Sequence, residues 1–168
     1  MSVQFYISVP LMTLLVILQS TILSRFPILG ITPQLVVLVA LAWGLLQGTD
    51  EGLVWAFVGG ILSDLFSASP IGAGALALMV TVLAITLLQQ LLPRGRAIMP
   101  LLLTVIGLLF YLFLNLLLLR LSGTAPDWTP LGIAPAYTLI GAIFMLPIYW
   151  LLYVITRAVS VRRIDTEI

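Results

Sequence analysis

Asp64 is the carboxylate that lies within an apolar stretch of this 168-residue chain, and it sets the range of chemistry that the sequence supports. An ionised side chain inside a bilayer costs roughly 2.5–3.5 kcal/mol on insertion scales, so a partner must offset it. Three roles would do so. The carboxylate can brace the Ser-Ala-Ser-Pro turn of residues 67–70 by accepting backbone N–H bonds. It can pair with an arginine or polar group inside the protein or on a partner. It can also handle a proton or a ligand, although a proton relay needs a second titratable group nearby and the interiors of the apolar stretches offer no other carboxylate, histidine or lysine. Gln19, Ser20 and Thr21 are the polar neighbours expected at its depth, and Gln19, Asp64, Tyr111 and Asn115 together make a possible polar pocket.

What is missing narrows the chemistry further. Metal sites use histidine, cysteine or clustered carboxylates, and nucleophilic or acid-base catalysis recruits much the same set with lysine. Cysteine and histidine are absent, and all seven basic residues are arginines. No catalytic residue, metal ligand or cofactor site is therefore expected. The formal charge of +1 gives no reason to expect nucleic acid as a partner.

These polar residues need elements to position them, and the composition says which solvent those elements face. Hydrophobic residues make up 62% of the chain and charged ones 8%, against roughly 25% charged in a water-soluble domain,. The solvent is lipid, and in lipid a spanning backbone is helical or a closed barrel. Glycine, proline and polar clusters divide the chain into six apolar stretches, at about residues 3–24, 33–48, 51–68, 71–92, 98–121 and 132–156,. Each crossing takes about 20 apolar residues. The second and third stretches are short, so six transmembrane helices are expected and five remain possible, within a single polytopic membrane domain of residues 1–168. The apolar run from Phe5 lacks a basic segment before it and reads as a retained helix, not a cleaved leader,.

Arginines sort the connections. Arg94, Arg96, Arg157, Arg162 and Arg163 fall on one side of a six-span chain and Arg25 and Arg120 on the other, which predicts both termini in the cytoplasm,. Trp128 in the longest outer loop, and Tyr149, Trp150 and Tyr153 near the inner end of the last span, suit the membrane interface,.

Because lipid tails are as apolar as leucine, membrane helices associate through small residues and polar contacts. The densest row at four-residue spacing is Gly48, Gly52, Ala56, Gly60, Asp64, Ala68, with Gly44 extending it backward. Further rows are Ala73, Ala77, Thr81 in the fourth stretch and Ala134, Thr138, Ala142 in the sixth. In the fifth, Thr104, Gly107, Tyr111 and Asn115 form one flank, while leucines such as Leu112 are expected to face lipid or a partner helix. Packing inside the bundle is the ordinary use of such rows, and contact with a partner is the alternative.

Residues 52–72 carry a resemblance to a known family. Gly52, Ala56, Gly59 and Gly60 make a glycine-containing helix, Gly60 to Asp64 a step of glycine, two apolar residues, one further residue and aspartate, and Pro70-Ile71-Gly72 the end of a small-residue turn. This block resembles the rod shape-determining protein MreD family, as does Leu18-Gln19-Ser20-Thr21 in the first stretch, and the likeness extends over essentially the whole chain. Ala68 departs from the glycine more often expected after the serine. The resemblance implies a non-enzymatic component of the bacterial inner membrane that binds MreC, a bitopic protein, and through it links MreB filaments to RodA and its transpeptidase. It also implies an all-α bundle similar to the substrate-binding subunits of energy-coupling-factor transporters.

Two functions follow as expectations. One is an interaction scaffold, with Gly52, Ala56, Gly59, Gly60, Asp64, Pro70 and Gly72 in helix packing or partner binding. The other is a vitamin-type binding subunit of a transporter, using the Gln19, Asp64, Tyr111 and Asn115 pocket. The small number of polar side chains within the spans favours the scaffold.

Overall fold

A computed structural model describes residues 3–27, 30–67, 70–92, 99–123 and 129–164. Six helices follow one another: α1 Val3–Thr21, α2 Leu35–Gln47, α3 Thr49–Leu65, α4 Ala73–Leu91, α5 Met99–Leu121 and α6 Ala134–Ile164. Short 3-10 turns at Leu23–Arg25 and Thr129–Ile133 complete the secondary structure, and there is no strand among the described residues. Helices α1 to α5 each fall within a few residues of an apolar stretch, because the backbone polar groups of a lipid-embedded segment have to be satisfied within that segment, while α6 continues past the sixth stretch to Ile164,. The glycine and proline clusters are where that pattern stops. Arg94, Arg96, Ala68, Ser69, Asp127 and Trp128 lie outside the described residues.

α2 is the axis of the bundle. Every residue from Leu35 to Ala42 is buried, and α1, α3, α4, α5 and α6 all pack on it. A helix apolar on every side has no preferred face to show to solvent and becomes the centre. Around it α3 sits against α1 and α4, and α5 sits against α4 and α6. The α2–α3 connection is a single residue, Gly48, at φ 102°, a left-handed conformation that glycine reaches without penalty,. On either side of it Gly44 and Gly52 meet backbone to backbone, so closely that a Cβ on Gly52 would stand 2.6 Å from the Gly44 Cα. The two helices are thereby in contact from the turn onward.

Three stretches are long and apolar enough to cross a membrane: Ala73–Leu91, Met99–Leu121 and Leu131–Arg157. The apolar parts of the first two helices, Ser8–Thr21 and Leu35–Gln47, are shorter. With 13 residues, α2 is about 20 Å long, against about 30 Å of hydrocarbon,. Its N-terminal end, at the buried Leu35, stops inside the protein, whereas Gln47 and Gly48 at the other end are exposed. This is the physical outcome of the short second stretch.

The lipid-facing surface is drawn by exposed apolar side chains at three- and four-residue spacing. On α5 these are Leu102, Ile106, Leu109 and Phe113, and on α6 Leu139, Ile143, Leu146 and Trp150. Leu112 is not among them. It packs against the buried core and lines a cavity between the helices. The expectation that Leu112 faces lipid is corrected accordingly.

Candidate functional site

The C-terminal ends of α1, α3 and α5 and the N-terminal ends of α2, α4 and α6 gather at one end of the bundle. A helix N-terminus carries unpaired N–H groups and a partial positive charge, and burying it requires acceptors. Neither α2 nor α4 brings its own, since their N-cap positions are Gln34 and Gly72 and neither side chain caps the helix. In both cases the preceding odd-numbered helix supplies the acceptor.

Asp64, near the end of α3, does this for α4. Its Oδ2 accepts the Gly72 N–H at 2.8 Å and the Ala75 N–H at 3.2 Å, the N-cap and third residue of α4. Gly72 takes φ 98°, which turns its N–H toward α3 and favours glycine at this position,. Oδ1 lies over Gly74, where any Cβ would collide with the carboxylate. The side chain is 4% exposed. The partial positive charge of the α4 terminus and these two N–H bonds compensate the burial of the carboxyl group there. Ser67 also bonds the backbone of Asp64: its N–H and its hydroxyl each donate to the Asp64 carbonyl at 3.2 Å.

Gln19 plays the corresponding part for α2. Its Oε1 accepts the Val36 N–H at 3.3 Å. Gln34, just ahead of α2, accepts the Tyr137 hydroxyl of α6 at 3.2 Å, and on α5 the Asn115 Nδ2 donates to the Tyr111 hydroxyl at 2.9 Å. A cavity of about 260 Å³ lies among these groups, walled by Gln19, Gln34, Asp64, Tyr111 and Asn115 with apolar residues such as Val37 and Leu116. A smaller adjoining space of about 210 Å³ shares Gln19, Gln34, Ser63 and Ser67 with it.

Thus Gln19, Asp64, Tyr111 and Asn115 line one cavity. The glycine row distributes differently. Gly60 faces Ala75 of α4, Gly52 faces Gly44 of α2 and Val82 of α4, and Gly59 faces Val36 of α2 and Met12 of α1. Ala56 is fully buried. Pro70 accepts the Ala73 N–H at 3.2 Å, which shapes the turn into α4. The residues that sequence reasoning passed over are Gln34, Ser63, Gly74 and Tyr137. Gln34 carried a signal, being polar between Pro33 and an uninterrupted apolar run. Tyr137 carried none, because its partner is 103 positions away.

The opposite end of the α2–α3 hairpin is held by aromatic packing. Trp43 and Trp55 stack with centroids 4.3 Å apart, and the Trp43 indole N–H donates to Glu51 at 3.3 Å. Thr49 donates to Thr86 and Gln89 to the Leu45 carbonyl, both at 3.1 Å, which ties the hairpin to α4.

No curated protein and no solved structure matches the chain. The likeness to transporter subunits that the resemblance implied accordingly carries no further argument. The sequence pattern of one family, described as rod shape-determining protein MreD, matches residues 1–159. With nearly the whole of a lipid-embedded helical bundle matched, the chain belongs to the rod shape-determining protein MreD family.

Proposed function

We propose that the protein is a non-enzymatic scaffold of the cell-elongation machinery in the bacterial inner membrane, which binds MreC and through it couples MreB filaments to RodA and its transpeptidase. Membership of the family supplies the role in rod shape. The observation that carries partner binding is the surface of the α3–α4 turn. Leu65, Phe66 and Ile71 are 58%, 57% and 70% exposed there, beside the buried Asp64 that braces the turn. Gly52, Ala56, Gly59 and Gly60 are used up inside the bundle, which leaves this apolar patch and the outer faces of α4, α5 and α6 for a partner helix.

Serine at both Phe66 and Ile71 is expected to lower co-purification of MreC at least tenfold at matched membrane levels, since burial of two large apolar side chains is worth roughly 1.5–3 kcal/mol each. Unchanged capture would remove the turn from the interface. A transporter subunit is the second reading, favoured by the cavity. A tightly bound vitamin and an associated ATPase module, with no bitopic partner, would establish it in place of the scaffold.

The alternation of the six helices puts the start of α1 and the end of α6 at the same end of the bundle, and the arginine asymmetry assigns that end to the cytoplasm. Cytoplasm-active reporters fused at Met1 and at Ile168 are both expected to work. A periplasm-active reporter at Ile168 alone would demand an odd number of crossings.

A further inference from the structure

The cavity at the N-terminal end of α2 has a composition that helix packing does not call for. A bundle core in lipid is filled by apolar and small residues, yet here Gln19, Gln34, Asp64, Tyr111 and Asn115 converge on about 260 Å³ of space. The space exists because α2, with 13 residues, is the shortest helix and ends among longer neighbours.

The hydrogen bonds that fix these side chains engage one end of each. Gln19 and Gln34 are held through their carbonyl oxygens, which leaves their N–H₂ groups as donors. Asn115 is held through its N–H₂ group, which leaves its carbonyl as an acceptor, and the Tyr111 hydroxyl accepts from Asn115 and keeps its own proton to donate,. The charge is already spoken for. Asp64 Oδ2 takes two N–H bonds from α4 and Oδ1 is packed on Gly74. No arginine is among the described residues that line the cavity, so a phosphate or carboxylate would meet the Asp64 carboxylate with no cation among them. What remains is a set of neutral donors and acceptors between apolar walls formed by Val36, Val37, Leu78, Leu112 and Leu116.

We propose that this cavity binds an uncharged group rich in hydroxyl and amide functions and about the size of one sugar ring. Carboxamide and phenol groups meet its hydroxyls and amide, and the aliphatic walls cover its C–H faces. The volume is below the roughly 300–1,000 Å³ of sites for drug-sized ligands, which limits the occupant to a single ring with its substituents. Such a group comes either as the headgroup of a glycolipid or as a soluble sugar. The site does not depend on the scaffold reading, since ligand binding and MreC capture are measured separately.

The test uses the full chain in nanodiscs. Free N-acetylglucosamine, glucose 6-phosphate and ethanolamine are titrated while the thermal midpoint is followed, and a parallel set of discs contains monoglucosyl diacylglycerol. Stabilisation is expected with N-acetylglucosamine or with the glycolipid and not with glucose 6-phosphate or ethanolamine. Response to the glycolipid alone assigns the ligand to the membrane, and response to the free sugar assigns it to the aqueous phase. Asn115→Leu, which removes the acceptor and fills space, is expected to weaken the response at least tenfold. Tyr111→Phe, which removes the hydroxyl donor and keeps the ring, serves as a second variant should the leucine protein fail to fold, and is expected to weaken the response as well,. Stabilisation by ethanolamine or glucose 6-phosphate in preference, a response indifferent to both substitutions, or no response to either sugar form would overturn the proposal.

Discussion

Leucine in place of Gly60 is expected to prevent correct assembly of the bundle, while Leu109→Ala leaves it intact. A side chain at Gly60 runs into the backbone of Ala75, and backbone cannot rotate aside as the end of a flexible side chain can. Overpacking a core typically costs about 1–3 kcal/mol, and a clash between two helix backbones belongs at or above the top of that range. The penalty is a large share of the roughly 5–15 kcal/mol that holds a folded protein together. It also separates α3 from α4 at the level where Asp64 reaches Gly72 and Ala75, so two features fail together. Leu109 is exposed on the outer stripe of α5, where lipid fills the space of a trimmed side chain. Membrane levels and thermal midpoints of the two variants check this directly. Equal and near-normal behaviour of both would show that the α3–α4 contact at Gly60 is dispensable.

Asp64→Leu is the second substitution of large expected effect, and Asp64→Asn the informative comparison. Leucine leaves the Gly72 and Ala75 N–H groups without their acceptor. Each buried unsatisfied donor costs about 1–3 kcal/mol, so the loss is about 2–6 kcal/mol for the pair. Asparagine keeps an oxygen in the same place and gives up only the charge, whose interaction with a helix terminus is worth about 0.3–2 kcal/mol. The expected order of rod-shape complementation at matched membrane levels is therefore wild type, then Asp64→Asn, then Asp64→Leu. A role in proton handling predicts a different pattern, in which both variants are equally inactive because neither titrates. An asparagine variant that folds, holds MreC and still fails to restore rod shape would defeat the capping account.

How much of this was readable in the residues depends on the range of the interaction concerned. Solvent, element type and element number are local or additive properties. A chain with 62% hydrophobic residues, gathered in continuous apolar runs and not alternating ones, has to live in lipid as helices, and Gly48 and the α3–α4 connection interrupt them,. The resemblance to the family was likewise read from contiguous residues at 52–72, and the family match extends over residues 1–159. The polar character of Gln19, Asp64, Tyr111 and Asn115 was legible too, since such residues are conspicuous in apolar runs.

Their purpose was not. Whether Asp64 finds its donors in the adjacent turn or in the next helix depends on how α3 crosses α4, and that crossing is decided by the fit of Gly60 against Ala75 and of the carboxylate over Gly74. Leu112 and Leu109 are alike in sequence, yet one lines a cavity and the other meets lipid, because the rotation of α5 is set by Gly107 packing on Leu41 and Ile85. The cavity itself belongs to no single segment. It forms where a 13-residue central helix ends among longer neighbours, and Gln34 meets Tyr137 there across 103 positions. Composition and spacing determined that this protein is a helical bundle in a membrane; only the packing of six helices decided which polar groups cap their neighbours and which are left to face open space.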